Sequence, residues 1–308
     1  MVRRQTLPPL GPPVRPAPGP LGALILASRP HTWVVSAAPV AMGTALAARD
    51  GHLDWPVAGG CLAGVLLIQI GTNLANDGFD FERGADREDR VGPKRAAQQG
   101  WLSSQQVLAA AEVAFALASL VGSWLAAAGG WPIAFMGIAS LVVGWTYTGG
   151  RWPLSYHGLG EVFVLAFLGC MAVTGTYYAQ ALVFSSAALL AGVGVGSLGV
   201  ALLAVNNLRD RATDERAGKR TLVVRFGEAF GRAEYLAAVG LALAVPGVIV
   251  AAGLAPGRVL VTLLAAPFAV APARLVLRTR GAALNRALTG TARLLLVYGA
   301  LFCAASWR

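Results

Sequence analysis

The chain has 308 residues, of which 56 % are hydrophobic and only 13 % charged, against about 25 % charged residues in an average soluble domain. That composition excludes an ordinary soluble enzyme. The formal charge of +10 suggests nucleic acid as a partner, but the placement of the basic residues excludes that as well.

Residues 1–20 are rich in proline, including Pro8-Pro9 and Pro12-Pro13, and lack the apolar core of a signal peptide. They read as a disordered cytoplasmic tail. Leu21 to Ser28 reads as a short helix leading into a membrane. Apolar runs near the length needed to cross hydrocarbon then recur to the end of the chain. Nine spans are expected, at 33–49, 55–75, 104–128, 131–149, 160–180, 183–205, 234–254, 258–277 and 291–307. No connection between them is long enough for a second domain, so 21–308 is expected to be one all-α polytopic membrane domain.

The basic residues follow this topology. Arg3, Arg4, Arg15 and Arg29 precede the first span. Arg83, Arg87, Arg90, Lys94 and Arg95 follow the second, and Arg151 follows the fourth. Arg209, Arg211, Arg216, Lys219, Arg220, Arg225 and Arg232 follow the sixth, and Arg274, Arg278, Arg280, Arg286 and Arg293 surround the last connection. Only Arg49, Arg258 and Arg308 fall on the other side. The positive-inside rule then puts the N-terminus in the cytoplasm and the C-terminus outside. Trp33, Trp55, Trp101, Trp131, Trp152 and Trp307 lie near span ends, as interface anchors do. Cys61, Cys170 and Cys303 are widely spaced inside apolar runs, and His31, His52 and His157 show no ligand spacing. No zinc site or redox motif is expected.

Two acid-rich segments stand at the cytoplasmic ends of spans two and six. The first holds Asn73, Asn76, Asp77, Asp80 and Asp86, and the second holds Asn206, Asp210 and Asp214. Asn76-x-x-x-Asp80 is echoed by Asn206-x-x-x-Asp210, four spans later and on the same side. That pattern implies a parallel duplication, with the two helix ends facing each other across a central cavity open to the cytoplasm. Positions 73, 76, 77 and 80 share one helix face, and so do 206, 210 and 214. Carboxylates beside a bilayer are costly without a partner. Hard oxygen donors suit magnesium, which binds substrate phosphates through one or two carboxylates. The chain uses 23 arginines and two lysines, and both lysines, Lys94 and Lys219, follow the acidic segments. That placement points to a compact ammonium on phosphate oxygens. A cation transporter with paired acids is the rival from another class, but its site belongs near the bilayer midplane, not at one edge.

These residues resemble the UbiA superfamily of intramembrane prenyltransferases. Its N-D-x-x-D-x-x-x-D and D-x-x-x-D motifs are matched by Asn76-Asp77-Gly78-Phe79-Asp80 and by Asp210-Arg211-Ala212-Thr213-Asp214. Gly84 stands where the third acid of the first motif is expected, and Asp86 follows. Further segments resemble the 1,4-dihydroxy-2-naphthoate polyprenyltransferase branch. They are Arg29-Pro30-His31-Thr32, Asp89-Arg90-Val91-Gly92-Pro93, Tyr147 to Leu154, Gly158 to Glu161 and Ala217 to Leu222.

The resemblance implies a polyprenyl diphosphate donor, a 1,4-dihydroxy-2-naphthoate acceptor and magnesium. It implies metal binding by Asn76, Asp80, Asp210 and Asp214, with Asn73, Asp77, Asp86 and Asn206 as further ligands or supports. Lys94, Arg95, Arg151 and Lys219 would meet the leaving diphosphate. Tyr147 would face the allylic cation, and Arg29 and His31 the acceptor carboxylate. The family's Tyr-x-x-x-Lys element reads Tyr147-x-x-x-Arg151 here. Related branches use other aromatic acceptors, such as 4-hydroxybenzoate or homogentisate. A multi-pass location in a prokaryotic cell membrane is expected.

Overall fold

The structure, a computed structural model, describes residues 18–85, 92 and 94–307. The expected tail falls outside the described residues as far as position 17. So do Asp86, Arg87, Asp89, Arg90, Val91 and Pro93 of the expected motifs. All regular structure among the described residues is helical. The elements are α1 (Pro20–Ala27), α2 (Trp33–Arg49), α3 (Trp55–Glu82), α4 (Ser104–Gly129), α5 (Trp131–Thr146) and α6 (Gly160–Phe163). A π-helical stretch (Val164–Met171) joins α6 to α7 (Ala172–Ala181). Then come α8 (Ser186–Arg216), α9 (Leu222–Ala251), a 3-10 stretch (Gly257–Ala265), α10 (Pro267–Arg278) and α11 (Leu284–Ser306).

Local signals in the chain set several helix starts. Asp54 accepts the Val57 N–H ahead of α3, and Ser103 and Gln106 form a reciprocal capping box at α4. Ser185 and Thr221 cap α8 and α9 by accepting the Ala188 and Val224 N–H groups. Each cap satisfies an N–H that has no partner within its helix.

Seven helices among the described residues are long and apolar enough to cross a membrane: Trp55–Glu82, Ser104–Gly129, Gly160–Ala181, Ser186–Arg216, Leu222–Ala251, Gly257–Arg278 and Gly281–Ser306. The chain is a multi-pass membrane protein. Two expected spans are shorter helices, α2 with 17 residues and α5 with 16. The structured ends also differ from the apolar runs. The run 183–205 is a helix over Ser186–Arg216, because its polar end continues the helix past the last apolar residue. The run 234–254 belongs to a helix that starts at Leu222 and kinks at Gly227, whose φ of 86° suits glycine.

Helix α8 is the central element. It packs along α9, the π-helical stretch and α11, and 67 % of its most apolar part is buried, against 28–39 % in the other spans. Its crossing with the π-helical stretch is a backbone contact. A Cβ at Gly169 would stand 2.5 Å from the Gly196 Cα, and one at Gly196 would stand 2.8 Å from the Gly169 Cα. Such proximity requires glycine on both sides. Around α8 the core closes on Tyr235, Tyr298, Phe302, Leu198, Met42 and Leu46, all fully buried. On the other side α3 packs along α4, and α1 rests its Ala23 and Ala27 beside Leu74, Ala75, Val107 and Ala111. An apolar cavity of about 300 Å³ lies among α3, α4, α5, the π-helical stretch and α7.

Candidate active site

The C-terminal ends of α3 and α8 meet at a second, polar cavity of about 140 Å³. Asn76 and Asp80 line it from α3. Asn206, Asn207, Arg209, Asp210 and Asp214 line it from α8, and Lys219 from the turn that follows. Arg29, Arg95, Tyr147 and Glu161 complete its functional lining. The two segments singled out by their echo thus share one chamber. Its wall carries four acids (Asp80, Glu161, Asp210, Asp214) and four bases (Arg29, Arg95, Arg209, Lys219).

Asp80 is completely buried, and its carboxylate is fully engaged. Oδ2 accepts from Arg95 Nη1 at 3.0 Å and from Lys219 Nζ at 2.9 Å, while Oδ1 accepts from the Tyr156 hydroxyl at 2.9 Å. Burying an ion this deeply is tolerated only with such compensation. Arg95 Nη1 also donates to the Asn76 carbonyl at 2.7 Å, which fastens the loop before α4 to the end of α3. Lys219 is brought in by the turn that ends α8, where its N–H donates to the Asp214 carbonyl at 2.8 Å. The second acidic pair is held differently. Asp210 takes two hydrogen bonds from the neighbouring Arg209, at 2.8 and 2.6 Å, and Arg209 also donates to Asn285 Oδ1 at 2.9 Å. Glu161 accepts from Asn207 Nδ2 at 2.8 Å.

The loop after α5 encloses one side. Ser155 N–H donates to the Tyr147 carbonyl at 2.9 Å, and Arg220 N–H donates to the Tyr156 carbonyl at 3.0 Å. Arg83 donates to the Thr148 carbonyl and, at 2.6 Å, to the Gly150 carbonyl, with its guanidinium carbon 5.3 Å from the Tyr156 ring centre. Burial raises the Tyr147 hydroxyl pKa above the ordinary phenol value, and the charges of Glu161, Asp80 and Asp214 add to this. The Tyr156 pKa is raised by burial and then by Asp80. Both phenols therefore stay neutral.

Not every expected site residue comes to the cavity. Asn73 donates to the Ser28 carbonyl at 2.9 Å and to Thr32 Oγ1 at 3.1 Å, so it secures the 28–32 turn. Asp77 accepts from the Ala96 and Ala97 N–H groups at 2.9 and 3.2 Å, so it secures the turn after Arg95. Lys94, Arg151 and His31 are exposed and outside the cavity lining. Arg29 does line it, from a left-handed backbone at φ 54°. A non-glycine residue held there is strained, and such strain concentrates at functional sites.

Sequence reasoning did not single out Tyr156, Glu161, Asn207, Arg209 or Arg83 as site residues. Asn207 and Arg209 are chain neighbours of Asn206 and Asp210, and that adjacency was their signal. Tyr156 and Arg83 had none, because only the folding back of the loop after α5 onto the end of α3 brings them together.

The UbiA prenyltransferase family profile matches residues 36–301. The chain belongs to the UbiA prenyltransferase family. It is 39 % identical over 256 residues to the 1,4-dihydroxy-2-naphthoate octaprenyltransferase of Mycobacterium tuberculosis, covering 82 % of this chain and 86 % of that one. It is 36 % identical over 210 residues to the protein of the same name from Escherichia coli, covering 66 % and 68 %. Its fold matches the apo UbiA homolog of Aeropyrum pernix with a TM-score of 0.69 at 16 % identity, over 88 % of this chain and 97 % of that one. It also matches the Archaeoglobus fulgidus UbiA homolog bound to DMAPP and Mg2+, with a TM-score of 0.64 at 14 % identity, over 92 % and 98 %.

The donor set of the polar cavity can be tested against a hard divalent ion. Carboxylates from Asp80, Asp210 and Asp214 with amide oxygens from Asn76 and Asn206 are the oxygen donors that magnesium takes. No group of three acidic, histidine or cysteine side chains converges as a finished metal site among the described residues. The cavity thus fits the ion in chemistry, and Asp80 and Asp210 currently bond to side-chain cations.

Proposed function

We propose that this UbiA-family prenyltransferase transfers a polyprenyl group from polyprenyl diphosphate to 1,4-dihydroxy-2-naphthoate, releasing carbon dioxide and diphosphate and giving demethylmenaquinol for menaquinone biosynthesis. The observation that carries the reading is one polar chamber in which both acidic helix ends stand among Arg29, Arg95 and Lys219. The likeness to relatives named as 1,4-dihydroxy-2-naphthoate octaprenyltransferases over most of their length supports the choice of acceptor.

In this proposal Asp80, Asp210 and Asp214, with Asn76 and Asn206, hold magnesium, and Asn73 and Asp77 brace the surrounding turns. Bound magnesium would neutralise charge on the diphosphate. Arg95 and Lys219 give up part of their contact with Asp80 and bind diphosphate oxygens, where charge builds as the allylic C–O bond breaks. Lys94 and Arg151, exposed on neighbouring loops, contribute positive potential from outside. The Tyr147 face stabilises the positive carbon left behind, and the enclosed chamber keeps water from it. Arg29 pairs with the acceptor carboxylate, with His31 at the entrance. The electron-rich ring then forms the new C–C bond. The carboxyl group departs as carbon dioxide and leaves its electron pair in the ring, so no net proton is consumed.

The wider setting belongs to the same proposal. Nine membrane crossings, seven of them long and two short, place the N-terminus and the polar cavity on the cytoplasmic side of a prokaryotic cell membrane and the C-terminus outside. Residues from 21 onward form one membrane domain. The decisive experiment incubates purified membranes with magnesium, a polyprenyl diphosphate and a panel of aromatic acids, and reads the lipid product by mass spectrometry. A decarboxylated prenyl naphthohydroquinone is expected. A product from 4-hydroxybenzoate or homogentisate alone would reassign the acceptor, and ion flux without any prenyl product would discard the reading. Asp210→Ala should abolish the product while leaving folded protein in the membrane, and Asp80→Ala should abolish it together with a lower melting temperature.

A further inference from the structure

Tyr156 stands behind the polar cavity without lining it, yet it touches two of the groups on which the chamber depends. Its hydroxyl donates to Asp80 Oδ1 at 2.9 Å. Its ring carries the Lys219 ammonium 4.9 Å from its centre and the Arg83 guanidinium 5.3 Å from it. The main chain is fixed from two directions, since Tyr156 N–H donates to the Pro153 carbonyl at 3.1 Å and the Tyr156 carbonyl accepts from Arg220 N–H at 3.0 Å. The next residue is tied as well, its His157 carbonyl accepting from Arg225 Nη2 at 2.9 Å. One side chain therefore joins the end of α3, the loop after α5 and the turn after α8.

We propose that Tyr156 is a positioning residue of this site: it sets the orientation of the Asp80 carboxylate and the standing place of Lys219. Both Lys219 and Arg95 compete for Asp80 Oδ2. The phenol occupies the other oxygen and so fixes the rotation of the carboxylate. Lysine is a point charge on a flexible stem and sets no geometry of its own. The aromatic face supplies that geometry by attracting the ammonium electrostatically. Lys219 can then lean from Asp80 toward a diphosphate without collapsing onto the carboxylate or swinging into solvent. This role rests on the proposed prenyl transfer for its purpose, but its geometry concerns diphosphate binding alone.

The test uses the full chain in detergent, with two readouts for wild type, Tyr156→Phe, Tyr156→Leu, Lys219→Gln and the Tyr156→Leu/Lys219→Gln double variant. The first readout is the rise in melting temperature produced by inorganic diphosphate with magnesium, measured against each variant's own baseline. The second is KM and kcat for the polyprenyl donor. Tyr156→Phe keeps the ring but leaves Asp80 Oδ1 without its donor, so a modestly lower baseline melting is expected, and the diphosphate shift is read against that baseline. Its diphosphate affinity should fall roughly ten- to a hundredfold, the effect of losing a hydrogen bond to a charged group, and the loss should appear mainly in KM. Tyr156→Leu should lose roughly a further three- to thirtyfold with the ring face. That further loss should shrink when Lys219→Gln is already present, because the two residues act together.

Three outcomes would overturn the proposal: wild-type diphosphate binding in Tyr156→Phe, failure of Tyr156→Phe to fold, or strictly additive losses in the double variant. A wild type that binds diphosphate through Tyr156 but prenylates no acceptor would instead overturn the proposed function and uphold the role of Tyr156.

Discussion

At the scale of single residues, Asp80 shows how a buried charge is made tolerable. Replacing it by asparagine removes the buried carboxylate that Arg95 and Lys219, both nearly buried, share. Breaking one partner out of such a set costs about 3–5 kcal/mol, so Asp80→Asn should melt well below wild type in detergent as well as lose prenyl transfer. Asp77 makes the contrasting case. Asp77→Ala removes the acceptor for two buried N–H groups, at roughly 1–3 kcal/mol each, and should destabilise the loop before α4. The magnesium concentration for half-maximal activity should stay as in wild type, and a clear rise would return Asp77 to the metal. The phenols of Tyr147 and Tyr156 both titrate above the ordinary value of about 10. A raised value means that the proton is held longer as pH rises. The activity profile should therefore show no phenol limb below about pH 10. The sequence pattern could place 73, 76, 77 and 80 on one face but could not divide them. They span an arc of about 100° at 100° per residue. One edge, with 76 and 80, reaches the cavity, while the other, with 73 and 77, meets neighbouring turns. Only the packing of those turns decides which oxygen is left for a ligand.

At the scale of elements, runs of apolar residues revealed where the helices lie, because a bilayer requires a fixed length. They did not reveal where helices end, since α8 and α9 continue as helix through polar and charged residues. The echo between Asn76–Asp80 and Asn206–Asp210 was readable because helix spacing repeats it, and both copies do reach one cavity. The loop after α5 was not readable in this way. Its Tyr156 and its hydrogen bonds to the 217–225 segment come from a fold-back without periodicity, and Arg151 is exposed on the same loop. The contact between α8 and the π-helical stretch carries a prediction of its own. Gly196→Val would drive two methyl groups into the Gly169 backbone, and overpacking of this kind costs about 1–3 kcal/mol or more. A lower melting temperature is expected, together with reduced activity. Wild-type melting would mean that the helices part without cost.

At the scale of the whole molecule, two carboxylates of the chamber, Asp80 and Asp210, already have internal cations. Chelation with EDTA should therefore stop prenyl transfer while leaving the melting temperature in detergent nearly unchanged, and magnesium should restore turnover. A large drop on chelation would mean that the ion holds the fold together. The deep burial of α8 has one more outcome. Gly196 and Asp210 sit on the same rigid rod, 14 positions apart, or roughly 21 Å at 1.5 Å per residue. A bulky change in the lipid-depth half of that rod shifts its acidic tip without touching it. Inactivating substitutions in a saturation scan should then trace a stripe down the buried side of the rod, well away from the polar cavity.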